Sequence, residues 1–261
     1  MRLVMLLIML AAAPGGAAEL RELCPDRPGL NTPPCIVDAG HVLVEAGLAY
    51  RHERNRDSID DRQDYGELTV RAGVTRRSEI ILGWTAHTRL RSRDRATGDV
   101  SRFRGGGDLL LGAKVALTDP DAKDGVAVSV QPFATAPTGS DGIGAGAWTQ
   151  GVIVPVKFDI GGVEVELSPE VDRVADSLAR GHHAVYTAVA GAGHKLGPFD
   201  AQVEVYVSRD DDPGARVTQA IADANLALGI GDNLQLDGEV DVGLNRAAPD
   251  VRVAIGVARR F

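Results

Sequence analysis

The feature that most constrains this chain is a hydrophobic pattern of period two. From His41 onward apolar residues alternate with polar ones, which is the signature of a strand with one apolar face. Val42, Val44, Ala46 and Leu48 form the first such face, and Leu68, Val70, Ala72 and Val74 the second. Ile80, Leu82, Trp84 and Ala86 follow, then Leu109, Leu111, Ala113, Val115 and Leu117. After a less regular stretch at Val126, Val128 and Val130 come Val152, Val154, Val156 and Phe158, and next Val163, Val165, Leu167 and Val171. Residues 182–194 are rich in Ala and Gly, and their facing is ambiguous. The alternation resumes at Phe199, Ala201, Val203, Val205 and Val207, and again at Ala220, Ala222, Ala224, Leu226 and Leu228. Leu234, Leu236, Val240 and Val242 form the next run, and Val251, Val253, Ile255 and Val257 the last. This makes about twelve strands of roughly ten to thirteen residues, longer than most globular strands and long enough to cross a bilayer when tilted.

The connections alternate in kind. Segments 76–78, 159–162, 195–198 and 231–233 are short, with 119–125 a longer member of the set. Segments 53–64, 92–106, 138–147, 173–181 and 210–216 are long and charged, and 246–249 closes that set as its shortest. Successive hairpins therefore turn at opposite ends, as in outer-membrane barrels. A soluble barrel would turn its apolar face inward and need large side chains to fill the lumen. Aromatics are only 4% here, Gly is 31 of 261, and the polar face carries Glu164, Glu166, Glu170 and Asp172 on one strand. The pattern predicts an all-β chain: a single up-and-down antiparallel transmembrane β-barrel of about twelve strands over residues 41–261. A mean hydropathy of -0.05 and the lack of any long apolar run after the first dozen residues exclude a helical membrane protein. A net charge of -8 argues against a nucleic-acid partner.

Residues 1–18 have the form of a cleaved export signal: Arg2, an apolar stretch over 3–10, and small residues over 11–18 with Gly16 and Ala18 before the cut. Export leads to oxidising conditions, which predicts a Cys24–Cys35 disulfide across a Pro-rich segment. Residues 19–40 are expected to form a periplasmic N-terminal extension, as a stapled cap in preference to a small plug folded into the lumen. The chain ends on Phe261 in an alternating strand, a pattern typical of substrates of the outer-membrane barrel assembly machinery.

The segment from Cys24 through Asp26-Arg27-Pro28 and Cys35 to Gly40-His41 resembles the start of a bacterial outer-membrane family labelled phenol-degradation meta-pathway protein or transporter. Gly106-Gly107-Asp108 before a strand holding Lys114, Pro137-Thr138-Gly139, Leu234-Gln235-Leu236-Asp237 and Gly243-Leu244-Asn245 match as well. The resemblance spans most of the mature chain. It implies passage or binding of a small solute, with aromatic compounds among the candidates, at the bacterial outer membrane.

With the apolar face on lipid, the alternate residues line the lumen. The candidate solute path comprises Arg51, Arg71, Arg89, Asp108, Lys114 and Lys157 on the first half of the wall. Glu164, Glu166, Glu170, Glu204, Asp237, Glu239 and Asp241 continue it on a strongly acidic second half. Such a wall favours cations or orients dipolar solutes. The lumen is either open or plugged by cross-barrel ion pairs such as Lys114 or Arg71 with the acidic wall, and a closed structural or surface-interaction barrel is the alternative role. Tyr50 and Trp148 are expected in the outer aromatic girdle, and Phe158, Phe199 and Phe261 in the periplasmic one. Arg89, Arg91, Arg93, Arg95, Arg102 and Arg104 form a basic run suited to lipopolysaccharide phosphates, or else a solvated loop balanced by Asp94 and Asp99. Outer-membrane lipid, lipopolysaccharide, the assembly machinery and a small solute are the expected partners. No nucleophile elbow, metal spacing, phosphate loop or dinucleotide motif occurs, so no catalytic residue, metal or cofactor is expected.

Overall fold

The computed structural model describes residues 20–122, 125–178 and 181–261. The export signal at 1–18 lies outside the described residues. Fourteen strands follow in chain order: β1 (Val42–Arg54), β2 (Ser58–Thr75), β3 (Ser78–Asp94), β4 (Val100–Gly105), β5 (Leu109–Ala116), β6 (Ala127–Ala136), β7 (Thr149–Ile153), β8 (Val156–Ile160), β9 (Val163–Ala175), β10 (His182–Leu196), β11 (Phe199–Asp210), β12 (Val217–Ile230), β13 (Leu234–Gly243) and β14 (Val251–Arg260). Every named pairing is antiparallel between neighbours, and β1 pairs β14 from Leu43 opposite Arg260 to His52 opposite Val251. The sheet is therefore closed.

Two of the staves are each built from two strands. β4 and β5 both pair β3, at Thr88–Arg93 and at Ser78–Trp84, with Gly106 and Gly107 between them. β7 and β8 both lie between β6 and β9, and are separated at Val154-Pro155. Proline has no N–H to give to a ladder, so the stave breaks there. Its carbonyl still accepts from Ser129 N at 3.0 Å. Counted as staves, the barrel is the closed twelve-stranded antiparallel form that the alternation predicts.

The barrel is inside-out relative to a soluble protein. Ile255 is 63% exposed and Val203 60%, whereas Arg71, Lys114 and Glu45 are fully buried. The alternation sorts them: apolar side chains stand on the outer surface, where lipid would cover them, and ionised ones turn inward. Placing a charge on the outer face should be costly. Ile255→Arg, near mid-length of β14, is expected to lower folding stability by about 2–4 kcal/mol. Denaturant titration of the folded band in lipid vesicles would show it, and unchanged stability would contradict the lipid-facing assignment.

The outer hairpins correct one expectation. Segments 53–64 and 92–106 are not loops for most of their length, because β1 and β2 continue their ladder to Arg54 opposite Ile59, and β3 and β4 theirs to Arg93 opposite Val100. Beyond the apolar zone the pairing persists on polar side chains, so the hydrophobic alternation ends before the strand does. The β1–β2 ladder also slips between Gly47 and Leu48, where Gly66 is the extra residue at φ 72°. Only glycine holds that conformation without strain. Past this bulge the facing of β2 shifts by one residue.

Candidate functional site

The lumen is filled by the chain's own N-terminal segment. The sequence favoured a cap outside the barrel; the structure instead carries residues 24–37 inside the wall. The Pro-rich stretch cannot pair as a strand, so its backbone groups need other partners. Wall carboxylates supply them. Glu45 accepts from Asp26 N and Arg27 N at 3.1 Å each, and Glu79 from Val37 N at 2.7 Å. Across the barrel Glu204 accepts from Leu30 N and Asn31 N, and Glu239 from Gly29 N. Ser168 accepts from Thr32 N at 3.2 Å and donates to Thr32 O at 3.0 Å.

The plug is pinned by two wall cations. Arg71 donates to Cys24 O at 2.8 Å and Cys35 O at 2.9 Å, and meets Asp26 and Glu79 at 2.8 Å each. Lys114 reaches Asp26 at 3.0 Å and Pro33 O at 2.9 Å. Cys24 and Cys35 are joined by a disulfide with Cα atoms 6.4 Å apart, which brings the two carbonyls within reach of one guanidinium. Charge also runs the other way: plug Arg27 lies 3.1 Å from Asp237 and 3.5 Å from Glu67 on the wall. The Arg27 guanidinium occupies the space above Gly47 and Gly256, where any side chain would collide with it. At the periplasmic end Arg260 donates to Arg21 O at 2.7 Å and meets Asp38 at 3.0 Å. A hydrogen bond from Arg21 holds the Asp121 carboxyl below its usual range there, with Arg76 adding to the effect.

Most of the candidate path residues turn inward. Arg51 faces in, and among the described residues its one ion-pair partner is Glu53, at 3.9 Å. Arg71, Lys114, Glu204, Asp237 and Glu239 all hold the plug. Lys157 pairs with Glu164 at 2.5 Å and Glu166 at 3.8 Å near the periplasmic rim. Asp241 shares Arg252 with Glu67 and Glu239, while Glu170 and Asp172 have no cation partner among the described residues. Asp108 is placed differently: it accepts from Gly139 N at 2.7 Å and Ala145 N, tying an outer loop to the mouth. Arg89 is a correction. It lies past the Gly66 bulge, so it projects outward, 5.5 Å over the Tyr65 ring. Tyr50, Trp148, Phe199 and Phe261 are exposed on the outer surface, and Phe158 is half-buried.

The sequence missed an apolar strip inside the lumen. A side chain on Gly112 would touch Phe133 and Ile81, and one on Gly151 would strike the Phe133 ring and Asp172. Ile81, Phe133 and Ile153 thus share the inner face of β3 to β7, with Ile81 and Ile153 buried. Six staves away around the ring stand β12 and β13 with Asp223, Asp237, Glu239 and Asp241. Ile81 occupies the polar phase of its strand, and that was the available signal.

A closed barrel that is apolar outside and charged within is an outer-membrane β-barrel. The chain belongs to the family described as "Putative MetA-pathway of phenol degradation", whose model matches residues 25–261. An outer-membrane channel from Pseudomonas putida F1 is similar in structure at 14% identity, with a TM-score of 0.69 over 87% of this chain and 98% of that one. The β domain of the Bordetella autotransporter BrkA is similar at 12% identity, with a TM-score of 0.51 over 86% of this chain and 100% of that one. No curated protein sequence matches.

Proposed function

We propose that this barrel is a channel for a small solute with an apolar, aromatic body and a positive or hydrogen-bond-donating end. The observation that supports it is the division of the lumen. Ile81, Phe133 and Ile153 offer an apolar strip, and Asp223, Glu239 and Asp241 stand on the opposite arc. A barrel serving only as a scaffold has no need of an acidic arc in which Asp223 has no cation partner among the described residues and Glu239 and Asp241 share Arg252, because each inner carboxylate costs desolvation. The Pseudomonas channel of the same fold supports passage as the role. The plug makes that passage restricted rather than porin-like, since its segment is bound through hydrogen bonds and ion pairs and is joined to the wall covalently only at its end.

Liposome flux tests this function directly. Vesicles carrying the protein are expected to admit benzylamine several-fold faster than benzoate. Replacing Asp223, Glu239 and Asp241 by their amides should remove most of the difference. Equal rates for the two solutes would refute the proposed selectivity. Absence of any flux or conductance, even in a folded variant whose plug has been released, would leave a closed barrel as the role.

A further inference from the structure

We infer that the outer hairpin of β3 and β4 is a docking site for the phosphates of lipopolysaccharide in the surrounding leaflet. Register is the first ground. Arg89 stands directly opposite Arg104, and Arg91 opposite Arg102. Like charges facing each other across a ladder destabilise it, so four guanidiniums on one face call for an anion. The protein supplies little: Asp61 meets Arg91 at 3.3 Å, and Arg89, Arg102 and Arg104 have no carboxylate partner among the described residues.

Facing is the second ground. Phe103 and Leu90 are paired on the other side of the hairpin, and the Phe103 ring lies against Gly142 of the loop folded over the mouth. The arginines therefore point away from the lumen. Arg89 stacks over Tyr65, and Tyr50 donates to Asp61 at 2.9 Å, so the basic face begins beside two outward-facing tyrosines. Tyr50, Asp61 and the four arginines border a groove of about 430 Å³.

Position decides the occupant. Tyr50 and Tyr65 lie on the outer surface at the level where the apolar alternation of β1 and β2 stops. From Arg89 to Arg93 the strand runs roughly 14 Å further at about 3.4 Å per residue, which a strand tilt of about 40° turns into about 10 Å of height beyond that level. This is headgroup depth for an outer leaflet, and planar guanidiniums match phosphate oxygens in pairs. A soluble anion bound for the lumen would meet these groups on the wrong side of the wall. The hairpin tip is closed by hydrogen bonds from Ala96 N and Thr97 N to the Asp94 carboxyl, at 2.8 Å each.

The test uses the full-length protein, purified in detergent and loaded with lipid A, with bound lipid counted by native mass spectrometry. The variant carries Arg89→Gln, Arg91→Gln, Arg102→Gln and Arg104→Gln, and its folding is checked by heat-modifiable migration. If it fails to fold, the pair Arg89→Gln and Arg104→Gln replaces it. Bisphosphorylated lipid A is expected to remain on the wild type and to fall by about tenfold or more on the folded variant. Removing the lipid phosphates should give the same loss on the wild type. Control changes at Arg54 and Arg209, which already have aspartate partners, should leave retention unaltered. Equal retention by the variant, or equal binding of dephosphorylated lipid, would overturn the proposal. Displacement of lipid A by millimolar inorganic phosphate would overturn the lipid as occupant.

Discussion

Arg71→Met is expected to release the plug while leaving the barrel closed. Among the described residues, Arg71 is the one side chain that joins both cysteine carbonyls, Asp26 and Glu79 at a single buried point. Removing it strands carboxylates away from water, a change that costs about 3–5 kcal/mol in buried ion pairs. The cost falls on docking rather than on the wall, because the ladders of β1, β2 and β3 are main-chain bonds that do not involve this guanidinium. The expected result is a larger single-channel conductance in planar bilayers, together with new labelling of Arg27 by the arginine reagent phenylglyoxal, since its side chain is shielded in the docked state. Arg71→Lys should fall between the two, since it keeps the charge but loses the fork that spans two carbonyls. A folded Arg71→Met barrel with unchanged conductance and a protected Arg27 would contradict the pinning role.

The second large effect concerns the disulfide. Cys24 and Cys35 are 11 residues apart, and linking them restricts the free segment before it docks. In the chain-entropy model a loop of this size is worth about 3 kcal/mol. Changing both cysteines to serine should therefore weaken docking by a comparable amount. The two carbonyls that Arg71 binds would then have to be gathered from a flexible segment. Thiol reductant should raise the conductance of the wild type toward that of the double variant and leave the double variant unaffected. Equal conductance before and after reduction would show that the bridge does not support the plug.

Much of the architecture was legible because one physical rule governs it. A wall with lipid on one side and water or polar chain on the other must alternate, so Leu48, Leu82, Val203 and Ile255 could be assigned outward from their spacing. Inward residues such as Arg71, Lys114 and Glu204 followed from the same parity. The rule fails where parity slips. Gly66 adds one residue to β2, and Arg89, across the ladder beyond it, consequently lies outside. The plug was illegible for another reason. Residues 24–37 have no period of their own, and their shape is set by Glu45, Arg71, Ser168, Glu204 and Glu239, partners spread along the whole chain. Phe133 and Ile81 were missed because an apolar residue facing the lumen looks, in sequence, like a strand out of phase.

The attachment of the plug to β1 has a consequence for any solute that would use this lumen. A segment tied by a few residues to its own binding site is a permanent competitor, present at an effective concentration of order millimolar regardless of how dilute the protein is. A solute that needs the space held by Gly29, Leu30 and Asn31 must outbid that local concentration. The free solute then governs occupancy only when it is abundant or binds tightly. Loosening the tether would shift its apparent affinity without altering a single contact it makes.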